Sequence, residues 1–210
     1  MLGDLDSTSV LGVRQLTRTF GGRAVVENFD LTLERGDRVA LCGPNGSGKT
    51  TILRCVAGTV TPTGGAISVC GHPAGSLEGR AAIGVSLSQE RSFYLRLSGR
   101  NNLLFFARLR NLSPREAWRR VDALEQELEL KAILAERVDR CSTGMVQQLS
   151  LARALLADPA LLLLDEPTRS LDAGARERLW GAVQRRASTA VLIATHLDED
   201  IDRCDRRVDL

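Results

Sequence analysis

The stretch Arg38-Val39-Ala40-Leu41-Cys42-Gly43-Pro44-Asn45-Gly46-Ser47-Gly48-Lys49-Thr50 decides how the rest of the chain is read. Arg38–Cys42 is a short apolar run, the pattern of a buried strand. Gly43–Thr50 fits G-x-x-x-x-G-K-[ST] in full. Thr51–Ala57 then reads as a helix that stops at Gly58. Strand, glycine-rich loop and helix, in that order, are the context the pattern requires. Glycines let the backbone wrap around phosphate oxygens and point N–H groups inward. A helix starting near Lys49 adds the positive end of its dipole. The loop Gly43, Pro44, Asn45, Gly46, Ser47 and Gly48, with Lys49, Thr50 and Thr51, is therefore expected to cradle a nucleotide. Lys49 would reach the β- and γ-phosphates, and the Thr50 hydroxyl would hold Mg²⁺.

Composition supports a folded domain around that loop. The chain has 210 residues, 43% hydrophobic and 26% charged, which excludes general disorder, collagen and coiled coil. The longest uncharged stretch, Cys55–Leu77, is broken by Gly58, Pro62, Gly64, Gly65, Gly71, Pro73 and Gly75, so it reads as turns and not as a membrane helix. Met1–Ser9 carries Asp4 and Asp6 and no apolar run, unlike a signal peptide. A net charge of +2 is too weak to argue for direct nucleic-acid binding. Among the 28 basic residues only Lys49 and Lys131 are lysines, so a lysine inside the loop stands out. The 5 cysteines form no C-x-x-C pair, which argues against a disulfide framework or a zinc site and for small buried residues in a reducing compartment.

Outward from the loop, the first third reads as β-structure. Val10–Leu16 and Phe29–Leu33 alternate, and Ala66–Cys70 and Ile83–Leu87 are short strand candidates. From residue 90 to 140 the chain becomes dense in charge and reads as helical. Ser113-Pro114 looks like a helix start, with Trp118, Val121, Leu124 and Leu128 on one face. The last third alternates: helix Val146–Ala157, apolar strand Leu161–Leu164, helix Gly174–Arg186, apolar strand Ala190–Thr195. Strands alternating with helices imply an α/β fold with a mostly parallel sheet.

Strand Leu161–Leu164 ends in Asp165-Glu166. Asp165 is expected to bind Mg²⁺, directly or through water, and Glu166 to act as general base on the attacking water. Both these acids and the glycine loop fall at carboxyl ends of parallel strands, where open α/β sheets bind ligands.

These residues together resemble the ATP-binding cassette (ABC) ATPases, the nucleotide-binding subunits of ABC transporters, over about Val10–Cys204. The resemblance implies a P-loop NTPase core (1–89 and 141–210) with an antiparallel β-subdomain on the N-terminal side and an inserted helical subdomain (90–140). It assigns Phe20 to stacking on adenine, with an ordinary loop or core aromatic as the equal alternative. It assigns Gln89 to the glutamine loop that reaches Mg²⁺ and the attacking water and meets the membrane partner. Cys141-Ser142-Thr143-Gly144-Met145 is similar to the family signature, which caps the ATP held by a second subunit. Ser142 and Gly144 match it; Cys141, Thr143 and Met145 depart. The Ser-x-Gly-Met form looks like the branch whose partners export drugs, polysaccharides or haem-related cargo. Ser170-Leu171-Asp172 matches the loop that crosses the dimer interface, and His196 matches the histidine that contacts the γ-phosphate. Family members continue beyond the Cys204–Val208 region with further strands and a helix, so the chain is expected to be a short member or part of a longer one.

What the resemblance implies is an ATPase on the cytoplasmic face of a membrane, peripheral to it, with ATP and Mg²⁺ as ligands. It would act as a homodimer or heterodimer of ATPase subunits and drive separate transmembrane permease subunits. Two rivals stand beside this reading. One is a non-transport ABC ATPase such as an iron–sulfur assembly ATPase. The other is a nucleotide-binding regulatory module that does not hydrolyse, although such modules typically lose the base or the histidine, and Glu166 and His196 are both present.

Overall fold

The computed structural model describes residues 9–87 and 92–210. Gln89 lies outside the described residues. In chain order the elements are β1 (Leu11–Phe20), β2 (Arg23–Leu33), β3 (Arg38–Cys42), α1 (Lys49–Val56), β4 (Gly64–Val69), β5 (His72–Pro73), α2 (Leu77–Ala81) and β6 (Ile83–Ser86). Then follow α3 (Gly99–Leu109), α4 (Pro114–Leu128), α5 (Lys131–Ala135), a single 3-10 turn at Val138–Arg140, and α6 (Thr143–Leu155). The chain closes with β7 (Leu161–Asp165), α7 (Ala173–Arg185), β8 (Ala190–Ala194), α8 (Asp198–Ile201) and β9 (Arg206–Asp209).

The chain divides into two compact units. The first comprises Met1–Ile83, Ala160–Glu166 and Ser188–Leu210. It holds an antiparallel sheet in the order β2-β1-β4-β5. The sequence alternation predicts β1 ending at Leu16 and β2 starting at Phe29, but the pairing continues to Phe20 opposite Arg23. The reason is a bulge: Gln15 takes a left-handed φ of 47°, the alternation loses its phase, and the polar residues beyond still pair. Gly65 passes so close to this bulge that a Cβ there would meet the carbonyl oxygens of Arg14 and Gln15 at 2.4 Å.

The same unit holds parallel strands in the order β7-β8-β3-β9. Leu161 N–H donates to Ala82 O at 3.1 Å, just before β6 begins. All five residues of β7 and of β8 are buried. A parallel strand covered on both faces needs such a continuous apolar run. Each fully buried Leu or Ile side chain stabilises the fold by about 1.5–3 kcal/mol. Ile52, Leu53, Cys55 and Val56 of α1 are buried as well, so α1 is held against the core along one side.

The second unit comprises Gly84–Pro159 and Pro167–Ala187 and is helical apart from most of β6. Helix α4 starts as its sequence predicts. Ser113 accepts from Glu116 N–H, Glu116 accepts in return from Ser113 N–H, and Pro114 fills the first turn. Its buried face differs from the expected one. Ala117, Val121, Leu124 and Leu128 point inward, while Trp118 is 49% exposed with the Arg100 guanidinium 5.5 Å from its ring centroid. Spacings of four, three and four keep Ala117 in the stripe, and Trp118 lies one residue, roughly 100°, around the helix. Glu127 of α4 ties to the end of α7: Arg185 Nε donates to it at 3.0 Å and Arg186 Nη1 at 2.7 Å. Burial works to raise its carboxyl, but the hydrogen bonds from Arg186 and Arg185 outweigh that and hold it below the usual range. Helix α6 runs from Thr143, earlier than the apolar pattern suggests, because Ser142 caps it.

Candidate functional site

In the first unit, β3 ends at Cys42 and the chain enters the glycine loop. Gly43, Gly46 and Gly48 have φ of 145°, 86° and 100°, a region that favours glycine. Gly48 has a second constraint: a Cβ there would meet Val25 O at 2.8 Å. Pro44, Asn45 and Gly46 are exposed, and Ser47 N–H closes a turn by donating to Pro44 O at 3.2 Å. Helix α1 begins at Lys49 with no side-chain cap, so its first N–H groups are left to the loop. Lys49 is only 7% exposed, and its Nζ donates to Gly43 O at 2.7 Å and Pro44 O at 2.9 Å. Thr51 follows in α1 and is half-buried. Burial pushes the Cys42 thiol up, which keeps it neutral beside the loop.

Parallel pairing brings the acidic strand end to this loop. Asp165, 2% exposed at the end of β7, accepts from Thr50 Oγ1 at 3.0 Å through Oδ2. Glu166 follows with a left-handed φ of 48°, and its N–H donates to Ala194 O at 2.8 Å. Glu166 Oε1 lies 2.8 Å from His196 Nδ1. An ionised carboxylate only accepts, so in that pairing Nδ1 donates and Nε2 is left for another partner. The other carboxylate oxygen of Glu166 and the Ser47 hydroxyl oxygen are buried with no hydrogen-bond partner. Buried polar atoms are normally partnered, so two orphans beside a glycine loop fit a polar ligand there. Thr50 and Asp165 together supply hard oxygen donors of the kind Mg²⁺ takes.

Phe20 ends β1 and is 46% exposed. In the second unit, Ser142 and Asp172 both cap helices: Ser142 Oγ accepts from Met145 N–H at 3.2 Å, and Asp172 Oδ1 from Ala175 N–H at 2.8 Å. Residues Ser142–Met145, Gln148 and Ser170–Asp172 line one open cleft of about 480 Å³. Gly144 is needed there, because a Cβ would meet Ser170 O at 2.5 Å. Helix α6 thus presents its N-terminal N–H groups at this cleft, a setting that favours anions.

The sequence reading missed the residues that hold the histidine's neighbours. Thr195, fully buried, donates through Oγ1 to Asp200 Oδ2 at 3.2 Å and accepts from Leu197 N–H at 3.1 Å. Asp200 is itself fully buried. An acid five residues beyond Thr195, across a turn, has no periodic signature in the sequence. Behind it, burial and then Asp200 and Asp205 push the Cys204 thiol up to about 12.

A family model described as ABC transporter matches residues 26–169. The Nod factor export ATP-binding protein I of Rhizobium meliloti is 37% identical over 201 residues, which cover 93% of this chain and 60% of that protein. Its counterpart in Cupriavidus pinatubonensis is 36% identical over 200 residues, covering 93% and 61%. The chain therefore spans about 60% of the length of these curated relatives. Among solved structures, the ATP-binding subunit of an ABC transporter superposes with a TM-score of 0.87 at 30% identity, over 96% of this chain and 86% of that one. A dimeric post-hydrolysis ATP-binding cassette bound to ADP and Pi shares the fold, with a TM-score of 0.86 at 22% identity over 95% and 94%. By the family match, the identity to its relatives and the shared fold, the chain belongs to the ABC transporter family, with the fold of that family's ATP-binding subunits.

Proposed function

We propose that the chain is the ATP-hydrolysing subunit of an ABC transporter, and of an exporter in particular. The observation that carries hydrolysis is the pairing of Glu166 with His196 directly after Asp165, which itself meets Thr50. In this reading the backbone of Gly43–Gly48 cradles the phosphates of ATP, with Lys49 on the β- and γ-phosphates. Its two loop carbonyls then give way to phosphate oxygens, an exchange a flexible ammonium makes readily. Thr50 and Asp165 hold Mg²⁺, which when bound neutralises charge developing on the transferring phosphate. Glu166 takes the proton of the attacking water through its unpartnered oxygen. His196, oriented by Glu166, faces the γ-phosphate with the rest of its ring, and Gln89 completes the set. Phe20 offers its exposed face to the adenine.

The cleft at Ser142, Gly144 and Asp172 would cap the ATP held by a second subunit. This reading includes a dimer that forms on ATP, each subunit's cleft closing on its partner's phosphate loop. Among the described residues no helix is long and apolar enough to cross a membrane. In this reading separate permease subunits carry the membrane passage, and this chain sits on the cytoplasmic face. The export direction rests on the Nod factor export proteins among the relatives.

Release of phosphate from Mg·ATP by the purified chain, compared with Lys49→Ala, tests the activity. The reading expects turnover in the parent and none in the variant. Equal release by both would overturn it.

A further inference from the structure

Phe20 is not a free-standing ring. The guanidinium carbon of Arg18 lies over it, 4.2 Å from the ring centroid. That guanidinium is itself held: Arg18 Nη1 donates to Thr61 O at 3.0 Å. Thr61 belongs to the turn that leaves α1, the helix that begins at the phosphate loop. The same turn grips the end of β1 twice more, through Thr63 Oγ1 accepting from Thr19 N–H at 3.1 Å and Thr63 N–H donating to Thr17 O at 2.8 Å. Arg18 pairs across the sheet with Val26, and a Cβ on Gly48 would meet Val25 O at 2.8 Å and the Val26 side chain at 3.0 Å. The hairpin tip that carries Phe20 is thus packed on the loop and tied to the far end of its helix.

One face of the Phe20 ring is covered by a cation fixed from behind, and the residue keeps 46% of its surface in solvent. We propose that Arg18 is a positioning residue for the nucleobase: it backs the Phe20 ring and holds the opposite face ready to stack on the purine of a bound nucleoside triphosphate. This rests on the reading of Phe20 as the base platform. Arg18 acts through the ring and not through the phosphates, so its contribution is confined to ligands that carry a base.

The test is calorimetric titration of the protein with Mg·ATP and with Mg·tripolyphosphate, which keeps the phosphates and lacks the base. Arg18→Gln should weaken ATP binding by about fivefold, the scale of one cation–π contact, and leave tripolyphosphate unchanged. Arg18→Lys, which keeps a cation but not the planar fork, should recover part of the loss. Equal weakening for both ligands, or no weakening for either, overturns the proposal. Phe20→Ala separates the layers: if it binds ATP as the parent does, the base-platform reading fails, and Arg18's role with it. If Phe20→Ala loses base-dependent affinity while Arg18→Gln does not, only the role of Arg18 fails.

Discussion

Glu166 and His196 face each other across 2.8 Å, one from the residue after β7 and the other from just after β8. Their strands are parallel neighbours, with Asp165 opposite Ala194, so the pair is a product of sheet order. The left-handed backbone at Glu166 turns the carboxylate toward the histidine, a strained choice for a side chain of that size. Fixing the ring through Nδ1 leaves the other ring nitrogen for a reacting group. His196→Ala should therefore lower ATP turnover by about 100-fold or more, in the range of a lost acid–base or orienting group. ATP affinity should stay near that of the parent. Steady-state phosphate release and calorimetry, read side by side, check the split.

Gly144 has no room for a methyl group, since a Cβ would sit 2.5 Å from Ser170 O, a backbone atom that cannot swing aside. Gly144→Ala should destabilise the protein by about 1–3 kcal/mol, the cost of forced overpacking. Thermal unfolding followed by far-UV circular dichroism would register this as a lowered Tm. The neighbouring Thr143→Ala, which meets no such contact, is the control.

Glu127 makes stability depend on acid. Its side chain is 17% exposed, and hydrogen bonds from Arg186 and Arg185 hold its folded pKa below the ordinary 4.5 despite the opposing effect of burial. A lowered carboxylate pKa stabilises fully above the unfolded value, and the stabilisation is lost as pH falls through the folded one. Urea unfolding at pH 7 should show Glu127→Gln less stable by about 1–2 kcal/mol. Repeated as pH falls below the ordinary 4.5, the gap between parent and variant should narrow. A gap that stays constant would mean that the carboxylate charge contributes nothing.

The parts of the fold legible in the sequence are those carried by contiguous signals. Gly43–Thr50 reads as a strand-to-helix loop because glycine, lysine and threonine stand at fixed spacing in one run. Strands β7 and β8 are visible because burial on both faces leaves them no polar residue before Asp165 and Thr195. What escaped depends on contacts between distant residues. The continuation of β1 beyond Gln15 follows a bulge that resets the alternation. Trp118 looks like a core residue by spacing, yet the smaller Ala117 holds the buried phase and Arg100 covers the exposed indole. Motif order singles out Thr50, Asp165, Glu166 and His196, but only strand pairing joins them two by two. Arg18 over Phe20 depends on Thr61, 43 residues away, and no local pattern announces it.

The role assigned to Glu166 is that of the base for ATP hydrolysis. Its most direct measurement is phosphate release by Glu166→Gln beside the parent, with size-exclusion chromatography of both in Mg·ATP. Glu166→Gln should show no release above background, together with a stable ATP-bound dimer. Turnover by Glu166→Gln within a few-fold of the parent would contradict that role.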